Sequence, residues 1–336
     1  MSYCLLNSKN FAHNISEITQ YIDIDKIAFV LKNNAYGHGI LEMAELAQKN
    51  SIKHAIVINY QEAEKVKGYF ASVLVLSGIP DDKPLDNVSI AINDIRDIEK
   101  IPSGTSVELK IDTGMHRNGV LPEDLDKAID LIDRSNLILT GVFTHFSNAF
   151  ENDGSVEIQK DIFDSIMEKV KHEFFNKKIR FHCASSPGVF RIDNSDYDIA
   201  RIGIAMYGYV DLPLGFDLPN LKPVLSLWSE KISERLIREG QGVGYGQIFK
   251  AKQDMVISTY DIGYGNGFFR LDEKKKSKIS DGRDILGRVS MNNIAVEGND
   301  VEVCVFSNVE GLALAHETIS YEILCRLDSS IEKRII

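Results

Sequence analysis

Eight short apolar runs, alternating with amphipathic stretches, fill the first two-thirds of the chain and limit it to very few folds. They lie at residues 28–31, 55–58, 73–77, 89–92, 107–111, 139–145, 179–183 and 199–202. Each is the length of a buried strand and too short for a core helix. Helix-like segments separate them, among them 40–50, 61–69, 94–100, 123–134 and 156–175. Strands that alternate with helices form βαβ units, whose strands are parallel and covered on both faces. Eight units in about 200 residues fit a (β/α)8 barrel. A doubly wound open sheet shows the same alternation, and strand counting alone leaves it open.

The pattern changes near Pro223. Helical spacing fades, and β-rich runs appear at 225–232, 255–261, 285–289, 294–297 and 301–306. Gly240, Gly242, Gly244, Gly246, Gly263, Gly265 and Gly267 punctuate them, as turns between short strands require. The expected organisation is a barrel over 8–222 and a mainly β domain over 223–336, with 1–7 joining the second. Segment 272–281, with Glu273-Lys274-Lys275-Lys276, reads as a solvated loop.

The net charge of −11 argues against nonspecific affinity for nucleic acid or anionic membrane. No apolar run reaches transmembrane length. The first residues lack the basic region and apolar core of a signal peptide. Cys4, Cys183, Cys304 and Cys325 follow no pairing motif, so free thiols in a reducing cytoplasm are expected. No zinc-site or phosphate-loop spacing occurs, so no metal is expected.

In a barrel, residues at the C-terminal ends of the strands face the active site. The first run ends at Lys32, before the turn Asn33-Asn34-Ala35-Tyr36-Gly37-His38-Gly39. Taken alone, this fits a solvated lysine at a strand end. An amine held there and partly desolvated also suits Schiff-base chemistry, because burial lowers its pKa. The fifth run contributes Lys110 and Arg117, the sixth His145, the seventh leads into Ser185 and Ser186, and the eighth into Arg201, Gly203 and Ile204. Hydroxyls and amides near glycine suit a phosphate, and arginine can hold a carboxylate bidentately. This set describes a pocket for a phosphate-bearing aldehyde cofactor and an amino acid, which suggests pyridoxal phosphate.

Here the chain resembles the alanine racemases. Val30-Leu31-Lys32-Asn33-Asn34-Ala35-Tyr36-Gly37-His38-Gly39 resembles the family's cofactor-lysine signature. Further matches run in order through both expected domains. They include Leu109–Arg117, Gly141–Phe146, Arg201–Gly208, Lys222–Leu227, Val243–Gly246, Gly287–Met291 and Ile319–Leu324.

The resemblance implies roles. Lys32 would hold pyridoxal 5′-phosphate as a Schiff base and serve as base on one face of the substrate, with Tyr245 as base on the other. His145 and Arg201 would help the tyrosine, and Arg201 would face the pyridine nitrogen. Arg117 would bind the substrate carboxylate, and Lys110 matches a lysine that is N-carboxylated in many relatives. Tyr36, Ser186, Gly203 and Ile204 would hold the phosphate, while Tyr264 and Met291 would narrow the mouth for a small side chain. The resemblance also implies a homodimer with shared sites, in which Tyr245 and Met291 complete the neighbour's site, and a role in supplying D-alanine for peptidoglycan. A broader amino-acid racemase and a same-fold pyridoxal-phosphate decarboxylase are the alternatives. A cofactor-binding regulatory protein fits less well, because such proteins lack the second domain.

Some positions depart from the pattern. Ser185 stands where asparagine is common, Ile202 replaces a usual proline, and Asn266 and Asn292 replace acids. Ile336 stands where relatives carry a tyrosine that reaches the phosphate, so one phosphate contact is expected to be missing.

Overall fold

The structure, a computed structural model, describes the chain except residues 81–83 and 271–276. Part of the expected solvated loop at 272–281, including Glu273-Lys274-Lys275-Lys276, therefore lies outside the described residues. The chain forms two compact units: residues 11–35 with 43–222, and residues 1–10 and 36–42 with 223–336.

Strands are numbered in chain order, and β1 is Ser2–Leu6. The unit built on residues 11–35 and 43–222 holds β2 (Ile27–Val30), β3 (His54–Val57), β4 (Ser72–Val75), β5 (Val88–Ile92), β6 (Ser106–Lys110), β7 (Ile138–Phe143), β8 (Arg180–His182) and β9 (Ala200–Ile202). All pair in parallel in the order β8-β7-β6-β5-β4-β3-β2-β9. That order never shows the reversal that a doubly wound sheet requires. The two ends also meet. Arg201 pairs with Ser185, and Arg201 N–H donates to Ala184 O at 3.0 Å. The result is a nearly closed eight-stranded barrel.

The strands pack because most of them are largely apolar on both faces. All residues of β2 and β5 are buried, as covered parallel strands demand. The outer helices supply the cover. Helix Leu125–Arg134 buries Leu125, Ala128, Ile129 and Ile132, one stripe at helical spacing. Helix Ser155–Glu173 buries Val156, Phe163, Ile166, Met167 and Val170 in the same way. The stretch expected as a helix at 94–100 is instead a 3₁₀ segment, Ile95–Lys100, whose first turn is capped by the Asp94 side chain.

The other unit is mainly β. The long strand β10 (Leu225–Ile237) pairs with β1 and with β13 (Met255–Tyr260) and β15 (Glu302–Phe306). The hairpin β11 (Gly242–Val243) and β12 (Phe249–Lys250) follows β10 in sequence, β14 (Ile294–Glu297) pairs with β13, and β16 (Glu332–Ile335) runs parallel to β1. The expected strand at 285–289 does not form. Only an isolated bridge joins Ile285 to Val296, and Gly287 turns the chain at φ 75°, where a Cβ would collide with Val243 O. Helices Glu310–Ala315 and Ser320–Cys325 complete the unit and were not apparent in the sequence. Among the described residues no helix is long and apolar enough to cross a membrane, and no cluster of His, Cys, Asp and Glu could hold a metal.

Candidate active site

Lys32 follows the end of β2 and is half-buried. The turn after it is left-handed: Asn33, Asn34, Ala35 and Tyr36 all have φ between 50° and 55°. For residues with a Cβ this conformation costs roughly 1–2 kcal/mol each, less for asparagine. The fold offsets it locally. Asn34 N–H donates to Glu62 Oε1 at 3.0 Å, and Ile58 N–H, just past β3, donates to Glu62 Oε2 at 3.1 Å. Ala35 N–H returns to Leu31 O at 2.7 Å. One carboxylate thus ties the lysine turn to the neighbouring strand end. Tyr36 is buried against Tyr321, with ring centroids 5.7 Å apart, and burial drives its phenol well above its usual pKa.

Arg201, on β9, is buried and is the hub of the barrel mouth. Its Nη2 donates to Thr144 O at 2.6 Å, Cys183 O at 2.9 Å and His145 Nδ1 at 3.1 Å. Its Nη1 donates to His182 Nδ1 at 2.7 Å and His182 O at 3.2 Å. Guanidinium only donates, so both Nδ1 atoms must be acceptors and each imidazole carries its proton on Nε2. Burial, then Arg201 and the nearby Lys110, Arg117 and Lys32, hold His145 neutral, well below the usual histidine range. Burial likewise lowers His182 to about 4. Among the described residues no carboxylate touches Arg201, so its charge is not cancelled. All five contacts use the terminal nitrogens, which leaves Nε–H as the donor available to a ring nitrogen.

Lys110, at the end of β6, is buried and donates to Asn118 Oδ1. Burial, followed by Arg117 and Arg201, lowers its pKa to about 8. Arg117 lies in the turn after β6 that Asp112 organises by accepting from Gly114 N–H and His116 N–H, each at 3.0 Å. Arg117 is exposed and pairs with no acid among the described residues, so its fork is open to a carboxylate.

Ser186 and the loop after β9 make a small cradle. Ser186 Oγ accepts from Gly203 N–H at 3.0 Å and from Ala205 N–H at 3.3 Å, with Ile204 buried between them. Both amides point at the hydroxyl oxygen, and such a hydroxyl–amide cluster is suited to an oxyanion.

Tyr245, Tyr264 and Met291 belong to the β unit. Gly244 (φ 67°) and Gly246 (φ 74°) let the chain fold tightly around Tyr245, and Gly246 lies against the Arg288 guanidinium. The Tyr264 turn docks on the same segment: Tyr264 N–H donates to Ser290 O at 3.1 Å and Gly265 N–H to Met291 O at 2.7 Å. Residues 287–291 therefore gather all three side chains. They are exposed, Tyr245 at 70%, Met291 at 57% and Tyr264 at 39%. Asn266 has a local duty, since its Oδ1 accepts from Gly263 N–H at 3.1 Å and fixes the Tyr264 turn. Ile336 is tied to the sheet edge, with its N–H on Leu6 O and its carbonyl on Ser8 N–H, each at 2.9 Å.

Comparison with known proteins gives the family. The family described as "Alanine racemase, N-terminal domain" matches residues 6–211, and "Alanine racemase, C-terminal domain" matches 224–335. The chain belongs to the alanine racemase family. Within it, the chain is 42% identical to a protein named alanine racemase from a Nitratiruptor species, over 99% of both chains. It is 37% identical to one from Campylobacter jejuni subsp. jejuni, over 100% of both. A solved structure of alanine racemase from Clostridium difficile 630 superimposes with a TM-score of 0.89, at 26% identity, covering 100% of this chain and 95% of that one.

The barrel unit brings Lys32, Lys110, Arg117, His145, Ser186, Arg201, Gly203 and Ile204 to its strand ends. The β unit gathers Tyr245, Tyr264 and Met291 around one segment and holds Tyr36 against Tyr321. Sequence reasoning missed His182, which reads as part of the seventh apolar run, and Glu62, which reads as an ordinary helix residue.

Proposed function

We propose that this enzyme interconverts L- and D-alanine with pyridoxal 5′-phosphate and works as a homodimer with shared active sites. The observation that carries the reading is that Lys32 follows β2 and Arg201 lies on the adjacent strand β9 of one barrel, with only the Nε–H of Arg201 uncommitted. The residues fit the cofactor. Lys32 Nζ can form the Schiff base, Arg201 Nε–H can face the pyridine nitrogen, and Ser186 Oγ with the amides of Gly203 and Ala205 can take the phosphate, together with Ile204 and Tyr36. When bound, the cofactor supplies the electron sink that makes the substrate α-proton removable.

The chain's own groups do the rest. Arg117 orients the substrate by its carboxylate. Lys32 Nζ moves the α-proton on one face of Cα, and Tyr245 Oη of the partner subunit moves it on the other. A phenol has a pKa near 10, so the phenolate needs a donor. His145 supplies one, because Arg201 occupies its Nδ1 and leaves Nε2–H to donate. Arg201 remains cationic and disfavours a proton on the pyridine nitrogen, which limits how far negative charge drains into the ring and restricts side reactions. Lys110, with a pKa of about 8, keeps a neutral fraction at physiological pH, and its amine can add carbon dioxide with release of a proton to solvent. The resulting carbamate would be an anion beside Arg117 that orients it. Tyr264 and Met291 of the partner subunit narrow the pocket, and their exposure on the β unit leaves them free for that contact. The reading extends to a cytoplasmic enzyme that supplies D-alanine for peptidoglycan.

Chiral analysis of alanine, serine and lysine incubated with the protein and cofactor tests this. Fastest turnover of alanine supports it. Turnover of serine or lysine in its place changes the substrate to a broader class, and carbon dioxide release without racemisation replaces the reaction by decarboxylation.

A further inference from the structure

Beneath Arg201 the barrel interior holds a chain of polar groups that the proposed reaction does not use. His182 Nε2–H, on β8, donates to Glu108 Oε2 at 2.7 Å. Glu108, on β6, is fully buried. Its other oxygen accepts from Ser89 Oγ at 2.9 Å and from Arg180 Nε at 2.8 Å, and also from Arg180 Nη2. Arg180 Nη1 continues to Ser72 Oγ at 2.8 Å, which meets His54 Nδ1 at 2.8 Å. At its far end Arg180 borders a cavity of about 250 Å³ that Ser72, Ser106 and Thr140 also line.

A buried carboxylate is costly unless paired and hydrogen-bonded. Here two cations' worth of donors would be available if His182 were charged, but it is not. An imidazolium would point an N–H from Nδ1 at the guanidinium of Arg201, donor against donor. The contact between His182 and Glu108 is therefore a hydrogen bond from a neutral ring, and Arg180 alone balances the charge of Glu108. The stack Arg201–His182–Glu108–Arg180 has one consistent set of proton positions.

We propose that Glu108 is a positioning residue for Arg201. By holding the Nε2–H of His182, it fixes the ring's tautomer and angle, keeps Nδ1 an acceptor, and so fixes the guanidinium whose Nε–H serves the cofactor. Glu108 touches neither substrate nor cofactor. The inference rests on the reading of Arg201 as the pyridine-nitrogen partner. Glu108 acts through geometry, as outer partners of metal-bound histidines do.

The test uses the full-length protein labelled with ¹⁵N-histidine, with and without pyridoxal phosphate. Long-range ¹H–¹⁵N correlation should show His182 as the neutral Nε2–H form in the wild type. A wild-type Nδ1–H form or an imidazolium at neutral pH would overturn the relay, and this holds even if no variant folds. In Glu108→Gln the ring should lose its single form, the bound cofactor's absorbance should shift, and kcat should fall by about tenfold with little change in KM. Glu108→Asp should recover part of each. A Glu108→Gln protein with a lower unfolding temperature but unchanged His182 signals, absorbance and kcat would make Glu108 a core ion pair and nothing more. Arg201→Lys separates the two levels. If it leaves the cofactor's absorbance unchanged, the reading of Arg201 fails and takes the inference with it. If it shifts the absorbance while Glu108→Gln does not, the positioning role alone fails.

Discussion

Arg201 donates to His182 Nδ1 at 2.7 Å, so the deepest histidine of the barrel mouth is an acceptor toward the arginine. That bond keeps the arginine charge intact, because a neutral ring occupies a place that a carboxylate could have taken. The site thus presents an uncancelled cation, at the place the proposed reading gives to the cofactor nitrogen.

Replacing that cation should change the chemistry as well as the rate. Arg201→Glu should produce a new long-wavelength absorbance band when alanine is added to the cofactor-loaded protein, since the ring nitrogen can then be protonated and hold more charge. A stopped-flow spectrum with no such band would separate Arg201 from the ring nitrogen.

The same histidine makes the protein sensitive to mild acid. Its pKa is about 4 in the folded chain against 6.5 when free, mainly through burial. Between those values the unfolded chain binds the extra proton, so stability is full above 6.5 and falls as pH drops toward 4. His145, also lowered by burial, adds to the same trend. The slope should be on the order of 1 kcal/mol per pH unit for each histidine within its window. Urea unfolding at stepped pH should show it, and His182→Gln should flatten it.

Lys110 should be found as a carbamate. With ¹³C-bicarbonate, a carbamate carbon signal should appear in the protein, vanish in Lys110→Gln, and weaken as pH falls below about 8, where the amine is protonated. The Lys110→Gln protein should bind alanine more weakly, as a raised KM, because Arg117 loses its orienting anion. A wild-type protein without that signal would leave Lys110 a plain amine.

The left-handed turn after Lys32 depends on Glu62. Glu62→Ala removes the acceptor of both Asn34 N–H and Ile58 N–H, and should lower stability by about 1–3 kcal/mol. It should also loosen the cofactor, read as faster loss of visible absorbance on dialysis. Unchanged retention would show that the turn holds its shape without the clamp.

Much of this was legible in the sequence, for specific reasons. The barrel strands could be read because most of their residues are apolar and polar stretches separate them, and Lys32, Lys110 and Arg201 lie at or next to their C-terminal ends. The left-handed turn could not be read in full. Gly37 and Gly39 signal a turn, but nothing local predicts positive φ at Ala35 and Tyr36, which a carboxylate elsewhere in the chain helps to maintain. The strand expected at 285–289 failed because Gly287 serves a close approach to Val243 instead of an extended ladder. The relay was hidden inside strands, although its signal was present. Glu108, Arg180 and His182 are titratable residues inside apolar runs, and such residues must find one another when the barrel closes.

The central claim is that Lys32 and Tyr245 move one proton on opposite faces of alanine. Single-turnover exchange in deuterium oxide, started separately from L- and D-alanine, tests it most directly with Lys32→Ala and Tyr245→Phe. Lys32→Ala should show no exchange and no cofactor imine absorbance. Tyr245→Phe should show exchange that is suppressed from one enantiomer far more than from the other. Equal suppression from both enantiomers in Tyr245→Phe, or full exchange in Lys32→Ala, would contradict the claim.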